Sequence, residues 1–283
     1  MKLSIVIVNY NHSHLLGGCL ESIYLTVKET QFEIILADNS FRDDGLEAVL
    51  KCFPEIRLID NLKNIGFARA NNQAAKIATG DFLLFINPDT IMTQGAIQMM
   101  LDYLCSDPSI GVLGPKVLNL DGSIQYSCRK FPTIWSGLFN RYSLMTRLFP
   151  NNHYSKDYLM LDYDHNSTQS VDWVSGCCMM IPDSIFIKAN GFDENYFLFI
   201  EDVDLCKAIQ KEGYRVDYFP GAKIFHKISS SNSRSAPQTI IKRHQGMIYY
   251  NQKHHKANFV TQWIINAMIM VRCLSQLLLN MAK

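Results

Sequence analysis

The chain opens on a continuous apolar run, Leu3-Ser4-Ile5-Val6-Ile7-Val8, rich in β-branched residues and closed by the turn signal Asn9-Tyr10-Asn11. This pattern predicts a buried strand. Leu15, Leu16, Cys19, Leu20 and Ile23 then recur at helical spacing. The pattern continues as a strand over Phe32–Ala37, a helix around Gly45–Cys52, a short strand at Ile56–Ile59, a helix over Asn71–Ala78 and a buried strand over Asp81–Ile86. Uninterrupted apolar strands that alternate with helices imply a parallel sheet covered on both faces. The regular pattern stops near Pro115. From Lys116 to Ser170 the chain is aromatic and polar, which reads as long connections and short helices beside the sheet, where substrate selectivity could reside. Regular structure is expected again at Val174–Ile181, as a helix at Val203–Gly213 and as a strand at Arg215–Phe219. The expected class is α/β, with a mainly parallel central sheet flanked by helices.

The end of the chain differs. From Gln238 onward, Phe259, Trp263, Ile264, Ala267, Met268, Val271, Leu274 and Leu278 follow helical spacing and predict a C-terminal helical tail. The run Phe259–Val271 is too short to span a bilayer, and Arg272 interrupts it before Leu277-Leu278-Leu279. Lys242, Arg243, Lys253, His254, His255 and Lys256 precede it. Two readings stand: a helix packed on the domain, or an interfacial helix lying on an anionic leaflet.

Composition narrows the class. A chain of 283 residues has room for one large α/β domain and an appended tail. With 48% apolar and 19% charged residues, disorder is excluded as the main state. A net charge of +1 gives no electrostatic reason to expect nucleic acid as a partner. The 8 cysteines lack the paired spacing of a metal site. No secretory signal opens the chain, so reduced thiols and a cytoplasmic location are expected. No Gly-x-Gly-x-x-Gly follows the first strand and no Walker loop occurs, which disfavours a dinucleotide cofactor and a P-loop enzyme.

In open parallel sheets, ligands bind beyond the carboxyl ends of the strands. Asn9-Tyr10-Asn11, Asp38-Asn39-Ser40 and Asn87-Pro88-Asp89 fall there. Asp38 either accepts a hydrogen bond from the imide N–H of a pyrimidine base or caps the segment that follows. The glycine in Asn64-Ile65-Gly66-Phe67 allows close backbone approach to a ligand, or marks a plain loop-to-helix junction. Asp89, after a fully apolar strand, is placed to hold a hard divalent cation, or to cap a helix over Ile91–Leu104. Glu201-Asp202 opens a helix, where carboxylates are electrostatically favoured. The preceding Gly191–Glu194 and its aromatic wall would desolvate the pair, and a carboxylate there can act as a general base. His226, at a strand end after Ile224-Phe225, could complete a metal site or contact phosphate.

The ordered set Ser4–Asn11, Ala37–Ser40, Asn64–Ala68, Asn87–Asp89 and Phe199–Leu205 resembles inverting glycosyltransferases of family 2, which have the GT-A (nucleotide-diphospho-sugar transferase) fold. The likeness covers roughly residues 1–230. It implies a domain over 1–237, with a nucleotide-sugar-binding half (1–115) and an acceptor-binding half (116–237), followed by the tail at 238–283. It implies Asp38 on the base and Asp202 as the catalytic base. Tyr10, Asn64, Gly66, Asn71, Asn87 and Asp89 would line the nucleotide-sugar. Asp89 is implied as the metal-binding end of a DxD-like motif for Mg2+ or Mn2+, and His226 as a further metal or diphosphate contact. Asn87 stands at the first DxD position, so the motif offers one carboxylate. Trp173 and Gly176 resemble the acceptor-side loop, with Asp193 and Glu201 on the same side. Gly114–Val117 and Asp121–Thr133 are similar to a bacterial rhamnosyltransferase branch. That likeness implies L-rhamnose from dTDP-L-rhamnose, a lipid-linked saccharide acceptor of O-antigen or capsule synthesis, and an enzyme cytoplasmic or peripheral on the inner face of the membrane. Other UDP- or dTDP-sugars, or an inactive nucleotide-sugar-binding protein, are the alternatives. The Gln-x-x-Arg-Trp signature of processive synthases is absent, which favours transfer of a single sugar.

Overall fold

The computed structural model describes residues 1–27, 29–43, 45–133, 148–149, 152–227 and 236–281. The first half follows the strand–helix alternation closely. It runs β1 (Lys2–Asn9), α1 (Ser13–Thr26), β2 (Gln31–Asp38), α2 (Leu46–Cys52), β3 (Arg57–Asp60), α3 (Phe67–Ile77) and β4 (Phe82–Ile86). Strands β3, β2, β1 and β4 lie side by side and parallel. Successive residues of β1 face opposite layers: Leu3, Ile5 and Ile7 pack with Leu16, Leu20 and Met100, while Val6 packs with Phe85 and Met179. Both faces are covered, which is why the strand shows no alternation of polar and apolar residues.

Three local expectations are corrected. Helix α3 starts at Phe67 and not at Asn71, because Asn64 Oδ1 accepts from the Gly66 N–H and closes the loop there. The helix expected over Ile91–Leu104 begins only at Ala96, as α4 (Ala96–Ser106), after Gly95 in a left-handed conformation. Residues Thr90–Met92 instead form β5, so Asp89 caps no helix. The pattern does not end at Pro115: β6 (Ile110–Leu118) is a central strand. Its glycines read as breaks but serve packing, since a Cβ at Gly111 would lie 2.5 Å from Ile209 and one at Gly114 2.6 Å from Val174.

Short pieces follow: β7 (Ile124–Gln125), β8 (Cys128–Arg129), α5 (His153–Leu159) and β9 (Gln169–Val171). The expected connecting region between Lys116 and Ser170 includes 134–147 and 150–151, which lie outside the described residues. The stretch read as Val174–Ile181 is two strands, β10 (Trp173–Val174) and β11 (Cys178–Pro182), split by a turn at Ser175–Cys177. Then come α6 (Asp183–Lys188), α7 (Glu201–Lys211), β12 (Arg215–His226), α8 (Pro237–His254) and α9 (Phe259–Met281).

Among the described residues the main sheet has the order β3-β2-β1-β4-β11-β6-β12-β5, with β7 on β6 and β9 on β12, while β8 and β10 form a separate ribbon. Strand β11 is antiparallel to both neighbours and β5 to β12, so the sheet is parallel at one end and mixed at the other. Helix α9 runs unbroken through Arg272 as expected from its periodicity, and at 23 residues it is by length and composition long enough to cross a membrane, which corrects the reading of the apolar run as too short.

Candidate active site

The strand ends carry the first cluster. Asn9 closes β1 with its side chain fully buried, and its Nδ2 donates to Asp38 Oδ1 at 2.9 Å and to Asp43 Oδ2 at 3.0 Å. Ser40 adds its N–H (3.2 Å) and hydroxyl (2.8 Å) to the same Asp38 Oδ1. All these bonds fall on Oδ1, so Oδ2 keeps its acceptor capacity for an external N–H. Asp38 therefore anchors the local turn through one carboxylate oxygen. Tyr10, next in sequence, is exposed.

Asn64 and Gly66 sit in a polar knot in which Asn39 Nδ2 donates to the Gly66 carbonyl at 3.1 Å. Gly66 has φ of 94°, and a Cβ there would lie 2.9 Å from the Phe197 carbonyl oxygen. The close approach it permits is to the chain leading to Glu201, and the Phe67 N–H donates to that carbonyl at 2.8 Å. Asn71 is buried and donates to the Phe67 carbonyl within its own helix.

Asp89 and His226 meet. Strand β12 pairs with β5 so that His226 stands opposite Thr90, which brings Nε2 to 3.1 Å from Asp89 Oδ1. Gln125 fixes the imidazole. Its Nε2 donates to Asn119 Oδ1 (2.8 Å) and to the His226 carbonyl (2.6 Å), which leaves Oε1 facing His226 Nδ1 at 3.0 Å. Nδ1 therefore carries the proton, and in the neutral ring the Nε2 lone pair faces the carboxylate. Two electron-rich atoms at this distance need a proton or a cation. A hard divalent ion fits the donor set, with an orienting amide behind the imidazole. Among the described residues no group of three or more His, Cys, Asp or Glu forms a ligand set. The pair thus offers two protein donors.

The second cluster is held by the turn between β10 and β11. The Asn87 N–H donates to the Cys177 carbonyl at 3.0 Å, and the Gly176 N–H donates to Asp202 Oδ2 at 2.9 Å. A single turn thus links the DxD-like strand end to the carboxylate on α7. A Cβ at Gly176 would lie 3.3 Å from the Asp202 Cβ, so glycine lets the two backbones close. The Val203 N–H donates to Asp202 Oδ1 at 2.9 Å and fixes the other oxygen. Burial pushes the Asp202 carboxyl above its ordinary value, against the pull of these two N–H groups and of the Arg129 charge. Glu201 is buried, and its Oε2 has no hydrogen-bond partner among the described residues. Burial, and then the neighbouring Asp202 charge, push its carboxyl well above the ordinary value.

Two consecutive left-handed residues precede the pair, Phe199 (φ 68°) and Ile200 (φ 76°). A β-branched residue at positive φ is a strained conformation worth about 1–3 kcal/mol. Helix α8 holds it: Gly246 packs against the Phe199 carbonyl, and the Arg243 guanidinium lies over the Phe199 ring at 6.0 Å. Asp193 belongs to the same fastening. Its Oδ2 accepts from Tyr249 at 3.0 Å and from Lys253 at 2.6 Å, and Lys253 also reaches Asp204 Oδ2 at 2.8 Å. Trp173 is buried, with Nε1 donating to the Lys130 carbonyl at 2.8 Å and the Arg129 guanidinium 5.3 Å over its ring.

Several participants carry no sequence signal. Gln125 lies in a two-residue strand without periodicity, and Asn9 reads only as a turn residue. Arg129 stands within the Asp121–Thr133 motif, but its place over Trp173 depends on β8 pairing with β10.

Comparison with known proteins places this geometry. The fold matches GalNAc-T7 solved with UDP, GalNAc and Mn2+ (TM-score 0.64, 14% identity, 88% of this chain and 48% of that one). It also matches the mannosyltransferase PcManGT of Pyrobaculum calidifontis with GDP-Man and Mn2+ (TM-score 0.61, 17% identity, 99% and 73%). The fold is GT-A. In sequence, the chain is 28% identical to the N-acetylglucosaminyl-diphospho-decaprenol L-rhamnosyltransferase of Mycobacterium tuberculosis over 89% of its length and 85% of the relative's. It is 28% identical to rhamnosyltransferase WbbL of Escherichia coli K12 over 81% and 84%. The profile described as "Glycosyl transferase family 2" matches residues 4–178, and the chain belongs to that family of glycosyltransferases.

Proposed function

We propose that the chain is an inverting, metal-dependent, non-processive enzyme that moves L-rhamnose from dTDP-L-rhamnose to a lipid-linked saccharide in bacterial surface-polysaccharide synthesis. The observation that carries the mechanism is Asp202: a half-buried carboxylate with both oxygens oriented by backbone N–H groups. The choice of sugar and acceptor rests on the two rhamnosyltransferases above, one named for a diphospho-decaprenol-linked acceptor.

Residues 1–115 bind the donor. Asp38 Oδ2 accepts the imide N–H of the base, while Tyr10, Asn64, Gly66, Asn71 and Asn87 belong to the same strand-end surface. Asp89 and His226 would hold Mg2+ or Mn2+ beside the donor diphosphate. Bound there, the cation would neutralise the charge that grows on the departing nucleoside diphosphate. Residues 116–237 bind the acceptor, with Trp173 and Gly176 near its hydroxyl and Asp193 and Glu201 shaping the loop around it. Asp202 removes the hydroxyl proton as the oxygen attacks the anomeric carbon opposite the leaving group. One displacement inverts that centre, and no protein nucleophile is required.

Another UDP- or dTDP-sugar is the second reading, because the solved structures above hold other nucleotides on the same fold. A screen of UDP-, GDP- and dTDP-sugars for donor hydrolysis, with and without Mn2+, separates the two. The expected result is hydrolysis of dTDP-L-rhamnose that depends on Mn2+. Hydrolysis of a UDP-sugar instead would move the donor assignment, and binding without any turnover would indicate an inactive binding protein.

A further inference from the structure

Helix α9 buries Ile265 but turns much of its apolar surface outward. Its stripe Phe259, Trp263, Met270, Val271, Leu274, Leu278 is exposed, with Trp263 and Leu278 each at 66%. The face turned to α8 carries polar groups: Arg243 Nη2 donates to Gln276 Oε1 at 2.5 Å, and Arg272 Nη1 approaches Met247 Sδ at 3.8 Å. In a helix on a water-soluble surface the apolar stripe faces the protein and the polar one faces water. Only 6% of the most apolar 18-residue window of α9, of mean hydropathy 1.5, is buried, and the 23-residue helix is by length and composition long and apolar enough to cross a membrane. Patches of this extent mark contact with a partner or a lipid.

Charge chooses between these occupants. No Asp or Glu occurs from Tyr218 to Lys283, whereas Lys223, Lys227, Arg234, Lys242, Arg243, Lys253, Lys256, Arg272 and Lys283 do. The near-zero net charge of the chain conceals a wholly basic C-terminal stretch beside an acidic remainder. Lys256 is exposed in the link that leads directly into Phe259. A bare apolar stripe beside the exposed Lys242 and Lys256, with Lys253 committed to Asp193 and Asp204, complements an anionic leaflet. A second copy would bring the same cations against each other. One face of α9 is committed to α8, so the helix lies along the domain rather than standing away from it.

We infer that the α8–α9 pair is a docking surface for an anionic lipid bilayer, with α9 lying in the interface plane and its exposed stripe among the acyl chains. Helix α8 touches α9 on one side and Phe199–Ile200 on another, so the lipid-facing surface is tied to the strained turn that carries Asp202. The inference stands on the tail and not on which sugar is transferred.

The test uses the full chain in vesicle flotation, with phosphatidylcholine alone or with about 30% phosphatidylglycerol. Wild type should float with the anionic vesicles, and high salt should weaken its binding. A variant combining Trp263→Ser, Leu274→Ser and Leu278→Ser should lose at least about tenfold in partitioning. Its donor hydrolysis, which reads the strand-end site separately, should stay at the wild-type level and show that the domain is folded. Equal flotation of the variant, or wild type left in solution with both vesicle types, overturns the inference. A chain that sediments as a dimer and ignores vesicles overturns it in favour of a second copy.

Discussion

Asp202→Asn should lower transfer on the order of 10²–10⁴-fold, the usual worth of a positioned general base, while donor affinity stays within about twofold. The substitution keeps the side-chain volume but removes the proton acceptor. It also disturbs the clamp. A carboxylate offers an oxygen to each of the Gly176 and Val203 N–H groups, whereas the amide must turn an NH2 toward one of them. Product formation with an acceptor, measured beside calorimetric titration of the donor, separates lost chemistry from lost binding. The pH profile adds a second check. A base works deprotonated, so transfer in the wild type should rise as pH climbs through the elevated Asp202 value and fall on the acid side. That limb should vanish from the residual activity of the variant. Wild-type turnover in Asp202→Asn would overturn the assignment.

Asp89→Ala is expected to be nearly as damaging, by about 10²–10³-fold in turnover, because charge stabilisation of the leaving group is lost. Two protein donors face each other at 3.1 Å, and the motif has Asn87 where a second carboxylate would stand. Little remains to hold a cation when Asp89 is gone. The donor should bind about 10–100-fold more weakly with Mn2+ present, and Mn2+ should no longer improve binding. Donor titrations across a range of Mn2+ concentrations check this. Metal dependence unchanged from wild type would remove Asp89 from the role.

The parallel half of the sheet is legible in the sequence because burial on both faces makes β1, β2 and β4 mostly apolar runs, broken only by Ser4 and Glu33 between their first and last apolar residues. Their ends then announce Asp38 and Asp89. Strand β6 is hidden, because Gly111, Gly114 and Pro115 resemble loop residues until Ile209 and Val174 are seen against them. Strand β5 is hidden for another reason. Three residues exist as a strand only through pairing with β12, a contact across more than a hundred positions. The Asp202 clamp depends on the same kind of information. Asp202 can be singled out from its sequence, but the Gly176 N–H that holds it, and the turn that ties both to Asn87, are tertiary facts. The tail shows its apolar periodicity openly, yet which stripe is buried follows only from how α9 lies on α8.

Under the proposed mechanism the acceptor oxygen displaces the diphosphate in a single in-line step, with Asp202 as base and no covalent intermediate. Proton NMR of the newly formed glycosidic linkage, recorded on the first product before further reaction, tests it most directly. An anomeric configuration opposite to that of the donor sugar is the expected result. A product that retains the donor configuration would contradict it.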